Sequence, residues 1–280
     1  MKFGERIAKI PRQIIFLLIA AAVLLPLIIP VGLMINVTPQ TKKIYDAIEQ
    51  LDSTSKPVLI SCDFDPQTMP EIYPMLLGVL SQCFSRNVKV LVMALWPQGA
   101  GMAELGINET NALFNKKYGE DYVFLGYKAG GAAVIIGLGD RIKNVFPLDY
   151  YNRPLDSIPL TSNLINYDDL SLVISLSTGE PGFRQWLYYG QSKFGMKVAT
   201  GVTAVSAADA FPYLNSGQLI GMFGGMKGAA EYETMLAKNG YRMPNQNATK
   251  AMDAQSLGHL FIILFIIVGN VGFFLMRRQK

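Results

Sequence analysis

Two long apolar runs lie near the ends of the chain, and shorter apolar runs alternate with amphipathic segments between them. Residues 14–35 and residues 257–276 contain no Asp, Glu, Lys or Arg. About 20 helical residues cross a hydrocarbon core of about 30 Å, and a helix satisfies its own backbone hydrogen bonds in lipid. The pattern predicts transmembrane helices over residues 14–36 and 253–276, with Pro26 and Pro30 bending or ending the first.

The segment between these runs predicts one α/β domain over residues 37–252, with a polar linker at its end. Continuous apolar strands separated by helices are typical of a mainly parallel sheet covered on both faces. Right-handed crossovers then give a doubly wound, Rossmann-like or flavodoxin-like fold with five strands. The predicted strands begin at Pro57, Val88, Tyr122, Leu170 and Lys197; an irregular connection over Ser206–Leu219 and a last helix over Ile220–Lys238 follow.

The charged residues are distributed unevenly, and this predicts the orientation in the membrane. Residues 1–13 and 277–280 hold seven of the 25 cations and one of the 21 acids, a net charge of +6. The segment between the apolar runs holds the other 18 cations and 20 acids, a net charge of −2. Basic residues that flank membrane spans stay in the cytoplasm. We therefore expect a two-pass protein of the plasma membrane with cytoplasmic tails and an extracytoplasmic domain, and the total of +4 does not indicate a nucleic-acid partner.

Two aspartates directly after the first predicted strand are the sharpest candidates for chemistry. Asp63 and Asp65 could hold a divalent cation, or supply a nucleophile and an acid. The triplet resembles the Asp-x-Asp that ends the first strand of haloacid dehalogenase phosphatases, which implies a metal-dependent hydrolase. Thr68, however, lies one position later than the threonine of that motif, and the fourth strand ends in hydroxyls rather than in acids. The alternative is that Asp65 or Thr68 caps the next helix.

Further polar residues follow the third and fourth predicted strands. Exposed backbone amides at a helix start suit a phosphate or a carboxylate, so these loops predict a site for a small anionic ligand. The alternative is a tight strand-to-helix turn and a helix cap. The candidate ligand-binding residues are Lys128, Gly130, Gly131, Ser177 and Thr178.

The position of the one histidine limits the kinds of site that the domain can contain. His259 lies in the second apolar run, so neither a Ser-His-Asp set nor a Cys/His zinc site can be built in the domain. Apart from the divalent cation that Asp63 and Asp65 could hold, the sequence indicates no particular cofactor or metal.

Glycines and one asparagine in the last part of the chain predict helix packing. Glycine costs about 1 kcal/mol in a helix interior relative to alanine, and close approach of another helix compensates for this cost. An amide inside an apolar span also needs a partner, unless it lies close enough to the inner interface to reach water. The candidate packing residues are Gly221, Gly224, Gly225 and Gly228 in the predicted last helix and Gly269, Asn270 and Gly272 in the second span. The domain's own sheet could also account for the first four.

These features support three classes of function. The first is a structural or assembly protein that forms a homo-oligomer in the lipid bilayer. The glycines and Asn270 are the features that support this class. The second is a membrane-anchored solute-binding or sensing module at the carboxyl edge of the sheet. The third is a divalent-metal-dependent hydrolase that uses Asp63 and Asp65.

Overall fold

The chain divides into a central unit, Ile35–Ala248, and a terminal unit that comprises Met1–Met34 and Thr249–Lys280. The computed structural model describes residues 11–29 and 31–277. Residues 1–10 and 278–280 of the predicted tails lie outside the described residues, as does Pro30, for which a bend was predicted.

The central unit is built on a parallel sheet, which confirms the predicted doubly wound, Rossmann-like fold. The strands are β1 (Val58–Asp63), β2 (Val90–Ala94), β3 (Tyr122–Tyr127), β4 (Leu172–Ser177), β5 (Val198–Val202) and β6 (Leu219–Gly224). The order is β3-β2-β1-β4-β5-β6, and every neighbouring pair is parallel. The sheet therefore has six strands rather than the five predicted. The strand order reverses between β1 and β4, which is where doubly wound proteins bind ligands.

Helices cover both faces of the sheet. The helices are α1 (Arg12–Ile28), α2 (Pro39–Glu49), α3 (Met69–Ser85), α4 (Pro97–Phe114), α5 (Ala132–Asp140), α6 (Ile142–Val145), α7 (Phe183–Gln185, a π-helical Trp186–Gln191 and Ser192–Phe194), α8 (Ala207–Asn215), α9 (Gly225–Lys238) and α10 (Asn247–Arg277). Helices α2, α3, α4 and α9 pack together on one side. On the other side, apolar residues of α5, α7 and α8 share one core cluster with the sheet.

The prediction of one long glycine-rich helix over Ile220–Lys238 is wrong in its first part. Leu219–Gly224 forms β6, and α9 begins only at Gly225, whose φ of +59° suits glycine. A Cβ on Gly221 would lie 2.7 Å from the carbonyl oxygen of Gln40, so glycine lets α2 lie directly on β6. A short apolar run does not distinguish a buried strand from a buried helix. The predicted irregular connection before β6 also contains a helix, α8.

The terminal unit differs from the prediction at the first apolar run. Helix α1 ends at Ile28, two residues after Pro26, and residues 31–38 are neither helix nor strand, so the predicted helix over residues 14–36 is too long. Among the described residues, one helical stretch, Asn247–Leu275, is long and apolar enough to cross a membrane, while Arg12–Ile28 is apolar but shorter. Helix α10 begins within the segment predicted as a polar linker.

A buried carboxylate joins the two parts of the terminal unit. Asp253 of α10 accepts hydrogen bonds from three successive backbone amides, those of Val31 (3.0 Å), Gly32 (2.8 Å) and Leu33 (3.1 Å). Gly32 has a φ of +70°, a conformation that glycine adopts without strain. Removal of this acceptor breaks three part-buried hydrogen bonds, and a typical hydrogen bond contributes about 0.5–1.5 kcal/mol.

We expect Asp253→Ala to release the segment that follows α1. The amides of residues 31–33 should then exchange hydrogen faster by at least about tenfold, which corresponds to about 1.4 kcal/mol, as hydrogen-exchange mass spectrometry of the full chain in mild detergent would measure. Gln255→Ala is the control, because Gln255 is exposed on the same helix. Equal exchange in the two variants would contradict the role given to Asp253.

Candidate functional site

Asp63, the first acid of the predicted pair, is fully buried at the end of β1. Its Oδ1 accepts a hydrogen bond from the Leu95 amide (2.6 Å), and its Oδ2 accepts one from the Ser61 hydroxyl (2.6 Å). Burial raises the pKa of Asp63 to about 7, and these hydrogen bonds, with that of the Trp96 amide, limit the rise. Asp63 therefore ties β1 to the loop after β2 and does not face solvent.

Asp65, the second acid, shapes the turn that leads into α3. Its Oδ1 accepts hydrogen bonds from the amides of Gln67 (3.0 Å) and Thr68 (3.2 Å) and from the Thr68 hydroxyl (3.1 Å). This is an Asx-type turn. Within the part of the chain that the structure describes, no group of three or more His, Cys, Asp or Glu residues could hold a metal ion. The geometry thus supports the turn interpretation of Asp65, whereas Thr68, the N-cap of α3, makes no side-chain capping hydrogen bond.

Close contacts within the chain lie at the point where the strand order reverses. A Cβ on Gly99, in the first turn of α4, would lie 1.8 Å from the carbonyl oxygen of Cys62, so α4 begins directly against the end of β1. The Thr178 amide donates to the Asp63 carbonyl oxygen (3.2 Å), and Ser177 is buried beside it. The structure brings together the predicted residues Asp63, Ser177 and Thr178, but as a packed junction.

An open cleft of about 410 Å³ lies at the carboxyl end of β3, next to another predicted residue, Lys128. Sites for small molecules typically have volumes of about 300–1,000 Å³. Gly130 and Gly131 follow Lys128 along the chain, where Gly131 is the N-cap of α5. The cleft is lined by Leu125, Gly126, Tyr127, Lys128, Val145, Phe146, Pro147, Leu148, Asp149 and Tyr150.

Asp149 holds the outer wall of this cleft in place. Its Oδ1 accepts hydrogen bonds from the amides of Tyr151 (2.9 Å) and Arg153 (2.8 Å). Its Oδ2 accepts one from the Tyr118 hydroxyl (2.7 Å) and lies 3.4 Å from Nε of Arg153. Asp149 was not predicted as a site residue. The sequence signal that could have revealed it is the spacing of Asp149 and Asn152, because Asp and Asn three residues apart favour a turn. In the structure Asn152 has a φ of +62°.

Tyr150 attaches the wall to the free edge of β3. Its amide donates to the Phe124 carbonyl oxygen (2.9 Å), and its ring centroid lies 4.5 Å from that of Phe124. Gly126 has a φ of +82°, and a Cβ there would lie 3.0 Å from Cδ2 of Tyr150. Covering an edge strand protects it from pairing with other chains, and here the covering segment also forms one side of the cleft.

Lys128 is the charged side chain of the cleft that a ligand can reach. The charged residues in the lining are Lys128 and Asp149, and the Asp149 carboxylate is buried against Arg153 and the Tyr118 hydroxyl. Lys128 is exposed, and its Nζ lies 5.9 Å from the centroid of the Phe146 ring, within the range of a cation–π contact. The arrangement suits a ligand with one anionic group and an apolar part.

The glycines predicted to pack against a partner divide into two groups. Those at the end of the central unit meet the chain itself: a Cβ on Gly225 would lie 2.7 Å from Ala204, and one on Gly228 would lie 2.9 Å from the Phe223 backbone. Gly224 faces Ala207, as Gly221 faces α2. In α10, by contrast, Gly269 has nothing within 4 Å of a Cβ position and Asn270 is exposed, while Gly272 is buried.

The chain matches no protein-family model, and no curated protein or solved structure is significantly similar to it. The functional assignment therefore depends on the cleft beside β3 and on the two terminal helices.

Proposed function

We propose that this chain is a membrane-tethered binding module whose central unit captures a small anionic solute in the cleft at the end of β3. The observation that carries the proposal is Lys128, a cation with no acid paired to it among the described residues, at the mouth of a cleft of about 410 Å³. An anion that replaces water around the ammonium group gains a charge-assisted hydrogen bond. The apolar walls favour a ligand that also buries apolar surface.

The lining favours capture over a reaction. Asp149 already accepts hydrogen bonds from two amides and a hydroxyl and pairs with Arg153, so it has little capacity left to act as a base. Tyr127 and Tyr150 are partly exposed and offer ring surface rather than an acid–base pair. Lys128 then serves to attract and orient the solute.

The proposed tether consists of both terminal helices, which form one hairpin. Val23 of α1 faces Gly258 of α10, where a Cβ would lie 3.3 Å from Cγ2 of Val23. Non-helical backbone near lipid must have its hydrogen bonds satisfied, and Asp253 does this for residues 31–33. Because these hydrogen bonds satisfy the non-helical backbone, residues 31–33 can continue the membrane pass that α1 is too short to complete alone. Together with the basic tails, the hairpin supports two membrane passes and an extracytoplasmic central unit at the plasma membrane.

Chemical labelling of intact cells would test this orientation. The side chain of Lys117 is exposed in the central unit, so Lys117→Cys should react with a membrane-impermeant maleimide. Labelling that requires permeabilised cells would contradict the extracytoplasmic placement.

We expect Lys128→Met to weaken the binding of small anions to the full chain by tenfold or more, which corresponds to about 1.4 kcal/mol. Thermal shifts in mild detergent, measured with inorganic phosphate and with benzoate as probes, would report the affinity. Lys193→Met is the matched control, because Nζ of Lys193 also lies over an aromatic ring, 4.8 Å from the centroid of Phe194, but Lys193 does not line the cleft. Equal effects of the two substitutions, or no response to either probe, would refute the proposed site.

A further inference from the structure

The C-terminal half of α10 exposes an amide on an otherwise apolar surface. Asn270 is exposed, and so are Ile266 and Phe273, which lie one turn away on either side at helical spacing. Gly269 lies beside the amide with nothing within 4 Å of its Cβ position. This face, defined by Ile266, Gly269, Asn270 and Phe273, combines a polar group with room for close approach.

The depth of Asn270 means that its amide needs a partner. The next basic residue, Arg277, is seven positions further on, about 10 Å along a helix that rises 1.5 Å per residue. An asparagine side chain is too short to span that distance to the interface. An amide without a hydrogen-bond partner in hydrocarbon is strongly disfavoured. This step relies on the proposed membrane passage of α10.

The hairpin partner α1 leaves this face uncovered. Val23 of α1 faces Gly258, and the segment after α1 binds Asp253; both positions of α10 lie more than ten residues before Asn270. Asn270 remains exposed with α1 in place. None of the described residues of the hairpin therefore partners the Asn270 amide.

A second copy of the same helix complements the face chemically. An amide is both donor and acceptor, so two asparagines related by a two-fold axis satisfy one another. A parallel arrangement brings Asn270 of each copy to the same depth, and Gly269 allows the two backbones to approach.

We propose that two copies of this chain associate through the Ile266–Phe273 face of α10, with Asn270 hydrogen-bonded to Asn270 of the second copy. The dimer places two solute-binding units in one assembly. The association is independent of the cleft, since none of its residues belongs to the central unit.

Energy transfer between donor- and acceptor-labelled full chains in liposomes, measured as lipid is added, tests the proposal. Asn270→Leu should shift the midpoint of dissociation to about 3- to 30-fold higher protein density, the range expected for one interhelical amide pair. Asn270→Gln should largely preserve association because it keeps the amide. Leu264→Ala is the control on another side of the helix, where Leu264 is also exposed.

Loss of the dimer and loss of anion binding give different experimental results. Coincident dilution curves for the wild type and Asn270→Leu, or a wild type that is monomeric at every density, would overturn the dimer. Anion affinity measured on the same samples should be unchanged by Asn270→Leu, so loss of the dimer leaves the binding proposal standing. Failure of the chain to float with the liposomes would remove the membrane tether, and with it the basis of the dimer.

Discussion

Gly99→Ala is expected to lower the free energy of unfolding by about 4 kcal/mol or more, which is among the largest effects of a single substitution. The new Cβ would lie 1.8 Å from the carbonyl oxygen of Cys62, and backbone cannot move aside as a flexible side chain can. Helix α4 would have to withdraw from β1. The Leu95 amide lies just before α4, so its hydrogen bond to Asp63 would stretch or break as well.

A second glycine in α4 provides the control. Gly101 is exposed, and nothing lies within 4 Å of its Cβ position. Gly101→Ala should raise the free energy of unfolding by up to about 1 kcal/mol, because alanine favours the helix. Urea unfolding of the full chain in mild detergent, followed by circular dichroism, measures both variants. Similar stability of Gly99→Ala and Gly101→Ala would show that α4 does not press on β1 as described.

The stability of the central unit is expected to fall as the pH rises from about 4 to 7 because of Asp63. Burial raises the pKa of this carboxyl from 3.8 to about 7 in the folded chain. Between the two pKa values only the folded state holds the proton, so each pH unit lowers the free energy of unfolding by about 1.4 kcal/mol. The stabilisation by Asp63 is fully present at pH values below its pKa in the unfolded chain. It is lost as the pH rises through its pKa in the folded chain. The total approaches about 4 kcal/mol, with a flat profile above pH 7.

Asp63→Asn isolates this effect. The amide oxygen can still accept from Leu95, and the amide nitrogen can donate to Ser61, so the packing of β1 is preserved. The variant should lack the decline that Asp63 causes and should be more stable than the wild type above pH 7. Denaturant unfolding at several pH values provides the comparison. Parallel profiles for the variant and the wild type would contradict the raised pKa.

The sequence predicts the doubly wound fold because buried parallel strands appear as continuous apolar runs between helices. The apolar character of a buried strand is also the reason why β6 was not predicted. Leu219–Gly224 is also apolar, and its glycines resemble helix-packing positions until the contact of Gly221 with α2, about 180 residues away in the chain, is known. Local pattern alone does not contain that contact.

Of the predicted site residues, Lys128 is the one best placed in the structure to bind a ligand. The prediction followed from its position after β3, but the wall opposite comes from a loop with no periodic pattern. Asp149 organises that wall through contacts with Tyr118 and Arg153, which only the fold brings together. Asp63 and Asp65 illustrate the opposite case, because acids after a strand favour turns and junctions as well as chemistry.

Amide chemical-shift perturbation by inorganic phosphate, on the isotope-labelled full chain in nanodiscs, tests the anion-binding cleft most directly. Saturable shifts centred on Gly126, Lys128 and Leu148, and absent in Lys128→Met, are the predicted result. Shifts centred instead on Thr178 and Gly179, where the strand order reverses, or no saturable shift at all, would contradict a binding site at the end of β3.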